Sequence, residues 1–147
     1  MSRVARSARV ASRQRVEILG DADKTIESAE TGELYILTSD LTGTRTVTLP
    51  TPQDGAYFKF LIMCDLDGGT FKIKTHATTT YFFGALLFQD SDGTAADFVQ
   101  HGGSADEIAI IHSNDGAQFG SWVECVSDGT SWYVTGCIHA DEAPTIS

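Results

Sequence analysis

Residues 121–138, SWVECVSDGTSWYVTGCI, decide the fold class. Two runs rich in β-branched and aromatic residues flank Ser127-Asp128-Gly129-Thr130, and an Asp-Gly pair supplies the positive φ that a tight hairpin turn demands. The stretch is therefore expected to be a β-hairpin. With Asp128-Gly129 at its centre, Cys125 faces about Trp132. Successive side chains on a strand point to opposite faces, so Trp132 is expected in the core with Val123, Cys125 and Val134, and Tyr133 on the other face.

Working outward, ELYILT (33–38), RTVTLP (45–50), AYFKFLIM (56–63), TFKIKT (70–75) and EIAIIH (107–112) read as strands on the same grounds. Val47 and Leu49 alternate with Thr46 and Thr48, and Phe71 and Ile73 with Lys72 and Lys74, as half-exposed strands should. FKFLIMC is apolar on both faces and is expected to be a central strand. The breaks are turn sequences: LTGT at 41–44, QDG at 53–55, DLDGG at 65–69, SDG at 91–93 and SNDG at 113–116. A strand and turn about every 10 residues predicts an all-β body, an antiparallel β-sandwich or jelly-roll-like fold, rather than βαβ units. SDGT occurs twice, at 91–94 and 127–130, but its flanks do not make a repeat. Residues 92–106 are the least regular and are expected to form a long loop.

Charge divides the chain. Arg3, Arg6, Arg9, Arg13 and Arg15 lie in the first sixteen residues, which hold no acid, whereas residues 17–147 set five basic residues against 20 acidic ones, net −15. The expected organisation is an N-terminal arm over residues 1–24 and a β-sandwich body over 25–147. A field this negative repels phosphate backbones and anionic membranes, so neither nucleic acid nor membrane is an expected partner. The arginines interrupt any signal-peptide core, and YFFGALLF (81–88) is far short of the ~20 residues of a spanning helix; a soluble protein is expected. Cys64, Cys125 and Cys137 are too few and too scattered for a disulfide scaffold, and the hairpin register above puts the last two about 16 Å apart along the strands, beyond bridging distance. All three read as small buried hydrophobes in a reducing compartment.

The sequence offers little catalytic chemistry. His76, His101, His112 and His139 have no metal-ligand spacing to each other or to the cysteines, so no metal and no cofactor is expected. Asp90, Asp92 and Asp97 resemble a calcium loop, but taking Gly93 as its sixth residue makes Phe88 the first ligand and Val99 the twelfth, and the pattern fails. No nucleophile motif is present and the carboxylates sit in turns where they would be solvated, so a non-enzymatic protein with no catalytic residues is expected. Trp122 and Tyr133 are candidates for contact with a glycan or another partner. On a helix, Arg3, Arg6, Arg9 and Arg13 fall within about a third of the circumference, opposite Val4, Ala8 and Ala11; an extended strap would serve equally. Docking of this arm on an acidic protein surface is favoured over nucleic-acid binding and over a solubilising tail, because an acidic body would have to be held away from DNA.

TGELYILTSDLTGTRTVTLPTPQDGAYFKFLI and SWVECVSDGTSWYVTG together resemble small β-structured virion proteins of tailed bacteriophages, over most of residues 30–137. The resemblance is carried by Thr31-Gly32 before an apolar strand, the strand end Val47-Thr48-Leu49-Pro50, Gly55 opening the Tyr57-Phe58 strand, and Trp122 with Ser127-Asp128-Gly129-Thr130-x-Trp132. It implies a capsid decoration (cement) protein or a fibre or head-fibre module. A decoration protein implies a homotrimer on the outer capsid surface of the virion that stabilises the shell by binding the major capsid protein; a fibre module implies host glycans bound through Trp122 or Tyr133. The detached arm and the want of a stalk favour decoration, with Arg3, Arg6, Arg9, Arg13 and Arg15 as the capsid-binding residues.

Overall fold

The structure, a computed structural model, describes residues 15–28, 33–64, 66, 68–93, 95–110 and 119–147. Among these the chain forms twelve strands: β1 (Arg15–Leu19), β2 (Lys24–Thr25), β3 (Glu33–Leu37), β4 (Arg45–Thr48), β5 (Asp54–Ile62), β6 (Phe71–Lys74), β7 (Phe82–Asp90), β8 (Ala96–Ala105), β9 (Glu107–Ile110), β10 (Ser121–Asp128), β11 (Trp132–Ala140) and β12 (Thr145–Ile146). All seven strand-like runs of the sequence are strands. They build two packed sheets, one of seven strands in the order β1-β3-β5-β10-β11-β7-β8 and one of five in the order β12-β9-β6-β4-β2. The body is all-β and sandwich-like.

The pairing is mixed rather than antiparallel. From β1 to β7 the chain passes from one sheet to the other with every strand, so the strands that become neighbours run the same way: β1, β3 and β5 are parallel, as are β2, β4 and β6. The turns LTGT, QDG and DLDGG are corners between sheets, not hairpins within one, and the sequence alone does not distinguish the two. Gly69 shows how closely the corners stack, because a Cβ there would lie 2.3 Å from the carbonyl oxygen of Gly43. Antiparallel pairing dominates later, in β7 with β8, β10 with β11 and with β5, and β9 with β6 and β12.

The core lies between the sheets. Tyr35, Leu37, Phe58, Phe60, Ile62, Trp132 and Val134 of the larger sheet meet Val47, Phe71, Ile73, Ile108 and Ile110 of the smaller. Phe60 and Phe71 touch across the interface with ring centroids 6.2 Å apart, and Trp132 lies 5.6 Å from Phe58. As expected, β5 lies inside its sheet, Val47, Leu49, Phe71 and Ile73 face inward, and Trp132 is buried while Tyr133 is exposed.

Three further expectations are revised. Residues 92–106 are not a long loop: Ala96–Ala105 is the edge strand β8, paired along β7. Its glycines and polar residues disguise a strand whose inner face covers little core. Residues 15–24, assigned to the arm, belong to the sheets: β1 pairs with β3 over five residues and Leu19 is buried, so the described body begins at Arg15. Finally, the hairpin register differs by two, with Ser127 opposite Trp132 and Cys125 opposite Val134. The Asp128 carboxylate accepts the N–H groups of Thr130 and Ser131 at 2.8 and 2.9 Å, which stabilises a longer connection than an Asp-Gly pair alone. A shift of two leaves every side chain on its expected face. The three cysteines form no disulfide; Cys64 and Cys125 are buried and Cys137 is half-buried.

Candidate functional site

Arg3, Arg6, Arg9 and Arg13 lie outside the described residues. Arg15 opens β1 at the edge of the larger sheet, with a guanidinium nitrogen 3.4 Å from Glu33 Oε1. Each of the other cations among the described residues also has an acidic partner. Lys24 meets Glu17 at 2.7 Å, Arg45 meets Asp21 at 2.7 Å, Lys59 meets Glu124 at 3.0 Å, and Lys72 and Lys74 meet Glu107 at 2.7 and 3.0 Å. The body thus uses its positive charge internally, and its surplus is negative.

The carboxylates with shifted proton affinity belong to structural links. Burial pushes the Glu107 carboxyl up, and the hydrogen bonds and charges of Lys72 and Lys74 reverse this and hold it below the usual range. Asp128 is held low by the N–H groups of Ser131 and Thr130 and by the Tyr133 hydroxyl, and Asp21 chiefly by the Thr42 hydroxyl. None of the three is poised near neutral pH, where a general acid or base works best. Asp90 and Asp92, from the calcium-like stretch, come together with Asp141 rather than Asp97, with carboxylate oxygens within 4.8 Å of one another. The Asp92 N–H donates to Asp90 Oδ1 at 2.9 Å, the geometry of an ordinary turn.

Trp122 and Tyr133 both project from the outer face of the seven-stranded sheet. Trp122 is half-buried beneath the Lys59 ammonium, which sits 4.7 Å from the ring centroid. Tyr133 is 48% exposed, donates its hydroxyl to Asp128 Oδ2 at 3.0 Å and lies 5.9 Å from the ring of Phe83. Trp122 pairs with Cys137 and Tyr133 with Val126, so four positions, or about 13 Å of strand, separate them. They share a face without forming one platform. Beside Phe83, an open depression of about 760 Å³ is lined by Ala85, Gln100, His101 and Gly102.

What lies between these residues is the larger feature. Following the strand register from edge to edge, Ile18 pairs with Ile36, Ile36 with Leu61, Leu61 with Trp122, Trp122 with Cys137, Cys137 with Leu87 and Leu87 with Phe98. A single apolar row crosses all seven strands on the side away from the core. Ile18 and Phe98, at its ends, are 58% and 66% exposed. The next row holds Lys59 and Glu124, paired with each other, and the one beyond it Tyr57, Val126, Tyr133 and Phe83. Sequence reasoning found Trp122 and Tyr133 but missed the row. The alternation in Leu87-Phe88-Gln89 and Asp97-Phe98-Val99 was a signal, but only strand pairing aligns the residues.

In comparison with known proteins, no family model and no curated protein sequence matches the chain.

Proposed function

We propose that the protein is a non-enzymatic structural protein of a tailed-phage virion that decorates and stabilises the capsid, held to the major capsid protein by its arginine-rich N-terminal segment and assembled as a homo-oligomer, with a trimer expected. It works on the outer capsid surface and needs no cofactor. The observation that carries this reading is the division of charge. Every lysine and arginine among the described residues is paired with an acid of the body, and four further arginines, Arg3, Arg6, Arg9 and Arg13, precede them in an acid-free stretch of sequence. These residues lead directly into the edge strand β1. A guanidinium grips carboxylates through two parallel hydrogen bonds and keeps its charge at physiological pH, which suits an acidic protein surface.

Each exposed pair is worth only ~0.2–1 kcal/mol, so several must act together, and an oligomer on a repeating shell multiplies their effect through effective concentration. The test uses heads purified from a phage whose genome carries this chain. Co-sedimentation with those heads should weaken with rising salt and be lost when Arg3, Arg6, Arg9 and Arg13 are all replaced by alanine. Undiminished binding by that quadruple variant, or a stronger shift of duplex DNA than of heads, overturns the reading.

A fibre or head-fibre module that binds host glycans is the second reading. It is favoured by the exposed Tyr133 beside Phe83 and the open depression next to them. Glycan-array binding that disappears in Tyr133→Ala would establish it.

A further inference from the structure

The two outer faces of the body differ in chemistry. That of the five-stranded sheet presents Thr46, Thr48, Lys72, Lys74 and Glu107, with both lysines ion-paired to the glutamate. That of the seven-stranded sheet presents the apolar row from Ile18 to Phe98. Every large hydrophobic side chain left exposed among the described residues lies on the strands of the larger sheet or immediately beside them, and none on the smaller. A contiguous exposed apolar surface of this kind marks an interaction site. We infer that this face is buried against a second copy of the chain.

Three observations select that occupant. The first is area: seven strands give six spacings of about 4.8 Å, a width of roughly 29 Å, and the central strands extend roughly 26 Å, so the usable face is on the order of 600–750 Å². Buried from both copies, that is roughly 1,200–1,500 Å², the size of a stable protein interface. The second is charge. Bodies at net −15 repel one another, but across the three rows of this face the charged side chains are Lys59 and Glu124, which neutralise each other at 3.0 Å. Asp90, Asp92, Asp128 and Asp141 sit in turns or at strand ends, outside the rows. The face is thus where two such bodies can meet without setting like charges opposite each other. The third is chemical character. A row of Ile, Leu, Trp and Phe has few hydrogen-bonding groups for a sugar and no cationic grip for a phosphate, whereas sheets stacked about 10 Å apart bury such side chains against one another.

This rests on the homo-oligomer of the decoration reading but changes its number, because a face that meets its own copy closes on two chains rather than the trimer expected there, and the experiment keeps the interface and decoration separable. The mass of the full chain is followed by sedimentation velocity over a wide concentration range, for the parent and for the double variant Ile18→Glu, Phe98→Glu. Both positions are exposed in the single chain, so the charges should leave the fold intact by circular dichroism. The milder pair Ile18→Ser, Phe98→Ser is measured alongside in case the glutamates disturb folding. The parent should sediment at twice 15.8 kDa, persist or strengthen in high salt, and fall to a single chain in the variants, while Thr48→Glu on the polar sheet changes nothing. A parent that is monomeric at every concentration overturns the inference, as does an oligomer that survives both pairs of substitutions. A monomer that still binds phage heads overturns the interface and spares decoration; an oligomer dispersed by the variants that ignores heads does the reverse.

Discussion

Removing residues 1–24 and removing residues 1–14 should have sharply different consequences. Deleting 1–14 leaves every described strand in place. Deleting 1–24 removes β1, half of β2, and the braces Asp21 and Asp23. Asp21 accepts the Thr42 hydroxyl at 2.6 Å and meets Arg45 at 2.7 Å, while Asp23 Oδ1 accepts the Thr46 N–H at 2.9 Å. It also removes Leu19, which is only 6% exposed. The β1 backbone ladder and the conformational entropy of ordering those residues oppose each other, so the Leu19 side chain supplies a floor for the loss. Truncating such a leucine to alanine costs about 2–5 kcal/mol, a large share of the ~5–15 kcal/mol that holds a domain folded. For a body of this size that corresponds to a melting temperature lower by roughly 6–20 °C. Thermal melts by near-ultraviolet circular dichroism, at one low protein concentration, compare the parent, both deletions and Leu19→Ala. The 1–14 deletion should melt within about 2 °C of the parent, and the 1–24 deletion at or below Leu19→Ala. If the 1–24 deletion melts with the parent, β1 is no part of the cooperative body; if the 1–14 deletion falls as far as the 1–24 deletion, the core extends into the arm.

Gly84→Ala should be among the most damaging single changes. The residue sits at φ 137° in β7, where a Cβ would come within 2.1 Å of the Val134 carbonyl oxygen, so little folded protein should be recovered; a soluble variant with the parental melt refutes the close approach. Glu107 is held below its ordinary value of 4.5, so its contribution is present above about that pH and is lost as pH falls through the lower native value. Urea midpoints measured from pH 2 to 6 should therefore drop less steeply on acidification in Glu107→Gln than in the parent, and parallel curves refute the link. At the alkaline end, burial and then Glu124 push the Tyr57 hydroxyl up to about 12, so that contribution is complete below pH 10 and lost as pH rises toward 12, readable as a late phenolate absorbance change. Cys137, the half-buried cysteine in the apolar row, should react with N-ethylmaleimide more slowly in the parent than in the Ile18→Glu, Phe98→Glu variant; equal rates argue against a covered face.

Fold class and side-chain orientation were legible in the residues alone. Alternation in RTVTL and TFKIK is a local property, because neighbouring residues on a strand cannot share a face, and it survived even where the register was misplaced. At the 121–138 hairpin the two-residue shift left Trp132 inside and Tyr133 outside. The charge division was also fully legible, since it needs only residue identities. Which strands become neighbours was settled by long-range packing. Whether a short polar turn closes a hairpin or rounds a corner into the other sheet depends on where the apolar face of the next strand finds its partner, and that partner lies tens of residues away. Parallel pairing of β1, β3 and β5 followed from such corners. Both edge strands of the larger sheet escaped for a related reason: β1 hid within an arginine-rich segment, and β8 within a glycine-rich one, because an edge strand buries little and carries a weak apolar pattern. Ile18 and Phe98 belong to those two strands. The apolar row they terminate is assembled from seven segments scattered between residues 15 and 140, and no local pattern in any one of them requires that their outward side chains come into line.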